Sequence, residues 1–301
     1  MKTGFLIALK IAVLTAIMFI LYGLAAGVAG LDNASPPPDQ AGNTALILLV
    51  VCFLNTVVLT CIVLRSRWTG WKLIAAVFVA FYGVTTVMSQ IESAVFITQL
   101  PPGTVPRLFL MGAMITAPFS ILLVLILGKL RANADQDGRA VEDIASATEW
   151  SWKLAVVIIA YLILYFSFGY FIAWQSPAVR EYYGGTDYGS FFASMRNLVE
   201  TRAWLFGFQA VRALMWAAIA FPLVRTLKGP RFETALWIAL LFSVVMNTQL
   251  LLPNPYMPEA VRYAHLIETA SSNFIFGFLV GWLLAGSTGT ENRGVEQLEP
   301  A

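Results

Sequence analysis

Histidine is almost missing from this chain: His265 is the only one in 301 residues, and cysteine occurs just twice, at Cys52 and Cys61. The two cysteines lie nine residues apart in one apolar run, so on a helix they would sit ~13 Å from each other, too far for a disulfide. So few soft ligands exclude a haem-rich or iron–sulfur protein, and no cofactor is expected. Charge is scarce as well, at 12% of residues, about half the usual share in soluble domains. A formal net charge of +2 with no basic run argues against a nucleic-acid surface. The Gly-rich "EYYGGTDYG" (181–189) lacks the strand–helix setting of a phosphate loop and reads as a turn.

What the chain does have is hydrocarbon. Hydrophobic residues make up 58% of it, and the mean hydropathy is +0.74. The remaining polar surface is too small to coat a water-soluble globule, so the sequence is that of an all-α, polytopic membrane protein. A span needs about 20 apolar residues. Eight windows qualify, near 4–29, 44–64, 71–99, 107–130, 152–175, 201–225, 232–252 and 262–286. Lys2, Lys10 and "AAGVAG" (25–30) imitate a cleaved leader. The apolar run from Ile11 to Gly30 exceeds the usual leader core of about 7–15 residues, so it is taken as a first span.

Loop charge orients the bundle. Arg65, Arg67 and Lys72 surround the second connection, Lys129, Arg131, Arg139 and Lys153 the fourth, and Arg225, Lys228 and Arg231 the sixth. The first connection has only Asp32 and Asp39, while the third and seventh have Arg107 and Arg262 at their edges. The longer fifth balances Arg180 and Arg196 against Glu181 and Asp187. Even-numbered connections, and both termini, are therefore expected in the cytoplasm of a bacterial-type cell, with the protein in the inner membrane.

The polar segment at 131–151 divides the chain into halves of four spans, 1–130 and 152–286, followed by a polar tail at 287–301. "LRSRWTGWKLIAAVFVAFYGVTTVMSQ" (64–90) resembles "VRTLKGPRFETALWIALLFSVVMNTQ" (224–249), and each runs into a proline-rich turn and an Arg. This predicts a parallel internal repeat, the halves related by an axis along the membrane normal.

Ionisable residues inside spans are costly and need partners. Glu268 lies nine residues after Glu259, Glu92 nine before Pro101 and Arg212 ten past Arg202, which puts all three ~13–15 Å from the same face. Gln249 is four residues from Pro253, and His265 is one turn shallower than Glu268. Helical spacing groups Thr85, Ser89, Glu92 and Gln99 on the third span, and Arg202, Gln209, Arg212 and Trp216 on the sixth. Arg262, His265, Glu268 and Ser272 share a stripe of the eighth, Ser243 and Asn247 one of the seventh. The fifth adds Tyr161, Tyr165 and Phe168.

The expected site is thus an outward-facing polar cavity built from Glu92, Gln209, Arg212, Asn247, Gln249, Arg262, His265 and Glu268. His265-x-x-Glu268 has the one-turn spacing of a metal-ligand pair, but without a second histidine only Glu92 and Asn247 could complete it, so no metal is expected. Ser271 and Ser272 lack a nucleophile elbow. The favoured reading is binding or transport of a small polar or amphiphilic solute, with proton coupling. Its rivals are an accessory subunit of a membrane complex, in which the polar network only fixes packing, and an intramembrane enzyme acting on lipid. Expected partners are lipids, a small ligand, and a second copy or a complex partner. Gly23-x-x-x-Gly27 and Gly277-x-x-x-Gly281 permit close helix approach, within the bundle or between copies. Phe191, Met195 and Leu198 share a face in 187–204, which fits a short interfacial helix, although a loop anchored by its aromatics is the favoured reading.

Overall fold

A computed structural model of the protein describes residues 2–30, 41–131, 146–187 and 189–285. The 31–40 turn, most of the 131–151 linker and the 287–301 tail lie outside the described residues. Among the described residues, eight helices are long and apolar enough to cross a membrane: Gly4–Val28, Asn43–Leu64, Gly70–Phe96, Thr104–Ile126, Ala147–Gln175, Trp204–Thr226, Arg231–Leu251 and Glu259–Leu284. They are spans 1 to 8 below, and they match the eight expected windows to within a few residues at most ends.

The larger shifts have local causes. Span 5 begins at Ala147 rather than 152 because Ser146 caps it, its side chain accepting from the Glu149 N–H at 3.2 Å. Span 8 begins at Glu259, a carboxylate in the first helical turn after Pro258, where the helix dipole favours negative charge. Span 6 starts at Trp204 because a separate helix, Phe191–Arg202, precedes it. The segment is therefore helical, where a loop anchored by its aromatics is the favoured expectation from sequence. Ser190 caps it, and Phe191 packs on Tyr170 and Phe171 at the end of span 5.

Span 1 packs on spans 2 and 4, span 5 on spans 6 and 8, span 3 on spans 4 and 6, and span 7 on spans 8 and 2. Spans 3 and 7 meet through short π-helical segments, Gly83–Val87 and Leu241–Val245. The core follows these central spans: Phe81, Met88, Trp216, Phe242 and Phe276 are all buried. Spans 1 and 5 instead turn Phe5, Ile20, Leu24, Ile159 and Ile163 outward, as lipid-facing helices do.

Between membrane helices close contact substitutes for the hydrophobic effect, and small residues permit it. A Cβ at Gly277 would come within 2.8 Å of the Ile238 carbonyl oxygen, and one at Gly281 within 2.7 Å of Ala235 Cα. That Gly-x-x-x-Gly pair therefore joins span 8 to span 7 inside the bundle. Gly23 and Gly27 have nothing within 4 Å of the corresponding points.

The connections segregate to two faces. On the even face, Ser66 and Leu227 form an antiparallel bridge between the second and sixth connections. Arg67 N–H donates to the Thr226 carbonyl at 2.7 Å, and Lys228 N–H to that of Arg65 at 2.9 Å. The Ser66 and Thr226 hydroxyls touch, and Arg65 pairs with Glu233. Lys129 of the fourth connection donates to the Ser66 carbonyl at 3.0 Å; burial, then the charge of Lys228, lowers its pKa. On the odd face, Tyr182 of the fifth connection donates to the Tyr256 carbonyl of the seventh at 2.7 Å.

Candidate functional site

Span 3 resumes α-helical form at Met88, beyond its π segment, and presents Glu92 to span 6. Gln209 and Arg212 share one turn of span 6. Arg212 donates from both terminal nitrogens to the two Glu92 oxygens, at 3.1 and 2.9 Å, and from Nη1 to Gln209 Oε1 at 2.9 Å. The planar guanidinium suits such two-point pairing. The Tyr161 and Phe208 rings lie 5.9 and 5.8 Å from its central carbon. The Arg212 side chain is 2% exposed and that of Glu92 30%, so the cation is the sequestered partner. Arg212 Nε and Gln209 Nε2 are buried and make no hydrogen bond among the described residues.

The second cluster sits on span 8. His265 Nδ1 lies 2.8 Å from Glu268 Oε2, one helical turn on. His265 Nε2 lies 3.1 Å from the Tyr183 hydroxyl, which comes from the fifth connection. Both ring nitrogens are therefore engaged. Glu268 is 6% exposed.

The two clusters meet at a small pocket lined by Glu92, Arg212, Tyr161, Tyr165, Glu268 and Asn273, among others. Its free volume is about 20 Å³, room for roughly one water molecule. The cavity is thus tighter than the sequence stripes suggest. A larger vestibule of about 260 Å³ lies at the odd face, lined by residues 95–99, Tyr182, Tyr183, Arg202 and Trp204.

Five of the eight expected residues belong to the two clusters: Glu92, Gln209, Arg212, His265 and Glu268. Of the other three, Asn247 and Arg262 serve the backbone of span 7, and Gln249 joins two spans. Asn247 donates to the carbonyls of Phe242 and Ser243 at 3.1 and 2.9 Å, satisfying oxygens at the π segment, and accepts from Thr269 at 2.6 Å. Arg262 Nη1 donates to the carbonyls of Leu250, Leu251 and Leu252 at 3.0, 3.2 and 2.6 Å, closing the end of a 3₁₀ turn. Gln249 donates to Ser89 Oγ at 2.6 Å, tying span 7 to span 3. Tyr183 and the pocket-lining Asn273 are site residues absent from the sequence expectation, and Tyr183 is the one that bonds to His265. It stands in the turn-like Tyr/Gly segment, and no helical spacing links it to His265.

No metal-binding group of three or more His, Cys, Asp or Glu side chains occurs among the described residues. The chain matches no protein-family model, no curated protein and no solved structure. Its chemistry is therefore read from its own geometry.

Proposed function

We propose that the protein binds a small polar or amphiphilic solute with an anionic group in the pocket between Arg212, Glu92 and Glu268, and carries it across a bacterial-type inner membrane. The odd face is then outward, and both termini are cytoplasmic. The observation that carries this reading is Arg212: a nearly fully buried guanidinium faces one pocket together with two carboxylates, though a single partner would neutralise it. Burying an ion pair is seldom a gain in stability over apolar packing, so a third charge at the same pocket fits a binding role.

The transport step rests on an internal repeat. Four features support a parallel 4+4 duplication. Each pairing of spans within the first half has its counterpart four spans later, and the 3–6 contact has its counterpart in 7–2. The buried share of each span also recurs: 17% and 17% for spans 1 and 5, 50% and 50% for 2 and 6, 56% and 61% for 3 and 7, and 33% and 39% for 4 and 8. Spans 3 and 7 each carry one π segment, directly before a methionine, Met88 and Met246. The two backbone hydrogen bonds flanking Ser66 and Leu227 are reciprocal, as a twofold axis through that bridge requires. Halves so related can rock about the axis while the site between them stays put.

Native mass spectrometry of the gently solubilised protein tests this reading. The expected result is a single chain or a homodimer carrying a retained anionic small molecule, and Arg212→Gln should lose that adduct while remaining folded. A bare chain, with no adduct under any gentle condition, would overturn it. One observation favours a second reading. A pocket with room for one water suits a static network in an accessory subunit of a membrane complex, and that reading predicts a protein partner in fixed stoichiometry in the same spectrum.

A further inference from the structure

His265 stands between two spaces. Tyr183 lines the vestibule and bonds to one ring nitrogen; Glu268 lines the small pocket and bonds to the other. We propose that Tyr183, His265 and Glu268 form a proton path from the odd-face vestibule to the solute pocket, so that the ligand co-bound with the anionic solute is a proton. This rests on the reading of the pocket just given and names its coupling ion.

The transfer balances. A hydronium ion in the vestibule donates a proton to the Tyr183 oxygen, leaving water, as the Tyr183 O–H proton passes to His265 Nε2. The resulting imidazolium releases its Nδ1 proton to Glu268 Oε2, leaving the neutral ring in its other tautomer and an uncharged carboxyl at the pocket. Tyr183 works here as an intact hydroxyl. Burial first, then the charges at Glu92, Tyr182 and Glu268, raise its pKa well above the ordinary tyrosine value.

The charge count gives the proton a purpose. With His265 neutral, Arg212, Glu92 and Glu268 sum to one negative charge at the pocket, which repels an anion. Protonation of Glu268 brings the sum to zero and leaves the guanidinium as the group able to attract one. The surroundings hold few competitors. Span 3 contributes Glu92, span 5 Tyr161 and Tyr165, and span 6 Arg212. Span 7 offers only the neutral Asn247, through Thr269. The helix Pro177–Tyr182 brings Tyr182, bonded to Tyr256, while its Arg180 is held by the Trp174 carbonyl and lies 3.8 Å from Asp187. On span 8 itself Arg262 is committed to backbone carbonyls.

Because His265 is the sole histidine, nitrogen-15 labelling of histidine gives one imidazole, and its NMR signals need no assignment. The measurement is the rate at which its ring N–H exchanges with bulk water, in lipid nanodiscs at fixed pH. Tyr183→Phe is expected to slow exchange by roughly a hundredfold, the lower range of what a positioned proton donor contributes. Tyr182→Phe, in the same vestibule wall, should leave it unchanged. Glu268→Gln removes the far acceptor and should leave exchange through Tyr183 intact. Unaltered exchange in Tyr183→Phe overturns the path, as does equal slowing in Tyr182→Phe. If Tyr183→Phe fails to fold, loss of exchange in Glu268→Gln overturns it, because the proton would then arrive from the pocket side. No solute enters this readout. Normal path behaviour with no retained adduct would sink the carrier reading alone, and the reverse result would sink the path alone.

Discussion

Glu92 and Arg212 form one ion pair, yet its two ends differ in their access to water. Remove the carboxylate and a guanidinium that is 2% exposed keeps its charge with no carboxylate bonded to it, only Gln209 and aromatic rings against it and Glu268 elsewhere on the pocket wall. Remove the guanidinium and a carboxylate that is 30% exposed can rehydrate. Glu92→Ala is therefore expected to cost about 3–5 kcal/mol, the range for leaving a buried charge unpaired. Arg212→Met should cost about 1–2 kcal/mol, nearer the ordinary cost of a point substitution. Melting temperatures in one detergent rank the two variants. If Arg212→Met proves the more damaging, the carboxylate and not the cation is the strained partner. The same logic explains why some site residues were legible in the sequence and others were not. Depth from a span end, counted at 1.5 Å per residue, brings Glu92, Arg212 and Glu268 into one slab. It cannot tell a side chain that lines a pocket from one that serves nearby carbonyls. Asn247 and Arg262 lie on the right spans and turn to backbone oxygens, because a π segment and a 3₁₀ turn leave carbonyls without helical partners there. Neither irregularity has a hydropathy signature.

At the scale of helices, length and apolar content sufficed to find all eight spans, because a bilayer imposes a minimum on both. Which faces meet was less legible. Gly23-x-x-x-Gly27 and Gly277-x-x-x-Gly281 are equivalent as sequence, but only the second has a neighbour inside the bundle. A stripe of small residues says how closely a partner could approach and not whether one is there. The distinction has a measurable consequence. Gly281→Val would drive a branched side chain against Ala235 Cα and Ile238 Cβ, and backbone cannot swing aside as a long side chain can. Overpacking of this kind costs about 1–3 kcal/mol. Gly27→Val meets open space in the monomer and should leave its melting temperature unchanged. A loss of stability in Gly27→Val of similar size would mean that this face is covered, most simply by a second copy, and crosslinking would then find a dimer lost in that variant.

For the whole molecule, the even face is where the described residues join the two halves backbone to backbone. The bridge between Ser66 and Leu227, the Ser66–Thr226 hydroxyl contact, the Arg65–Glu233 pair and the Lys129 amine all draw the second, fourth and sixth connections together. The odd face carries the vestibule instead. This asymmetry is what a carrier would show with its pocket accessible from one side and clamped at the other. Carriage then requires the clamp to part, whereas a static accessory subunit never needs it to. Ser66→Cys with Thr226→Cys, in a background where Cys52 and Cys61 are alanine, replaces two touching hydroxyls by thiols. A disulfide between them would fix the clamp shut. Once mass spectrometry has named the retained solute, its uptake into cells or vesicles should stop on oxidation and return on reduction. Binding of the solute from the odd side should persist throughout, since the disulfide forms at the opposite end from the vestibule. Uptake that continues with the disulfide quantitatively formed would mean that the halves do not separate along this seam. The hydrogen bonds there would then be a fixed joint between the two halves, with no part in a transport cycle.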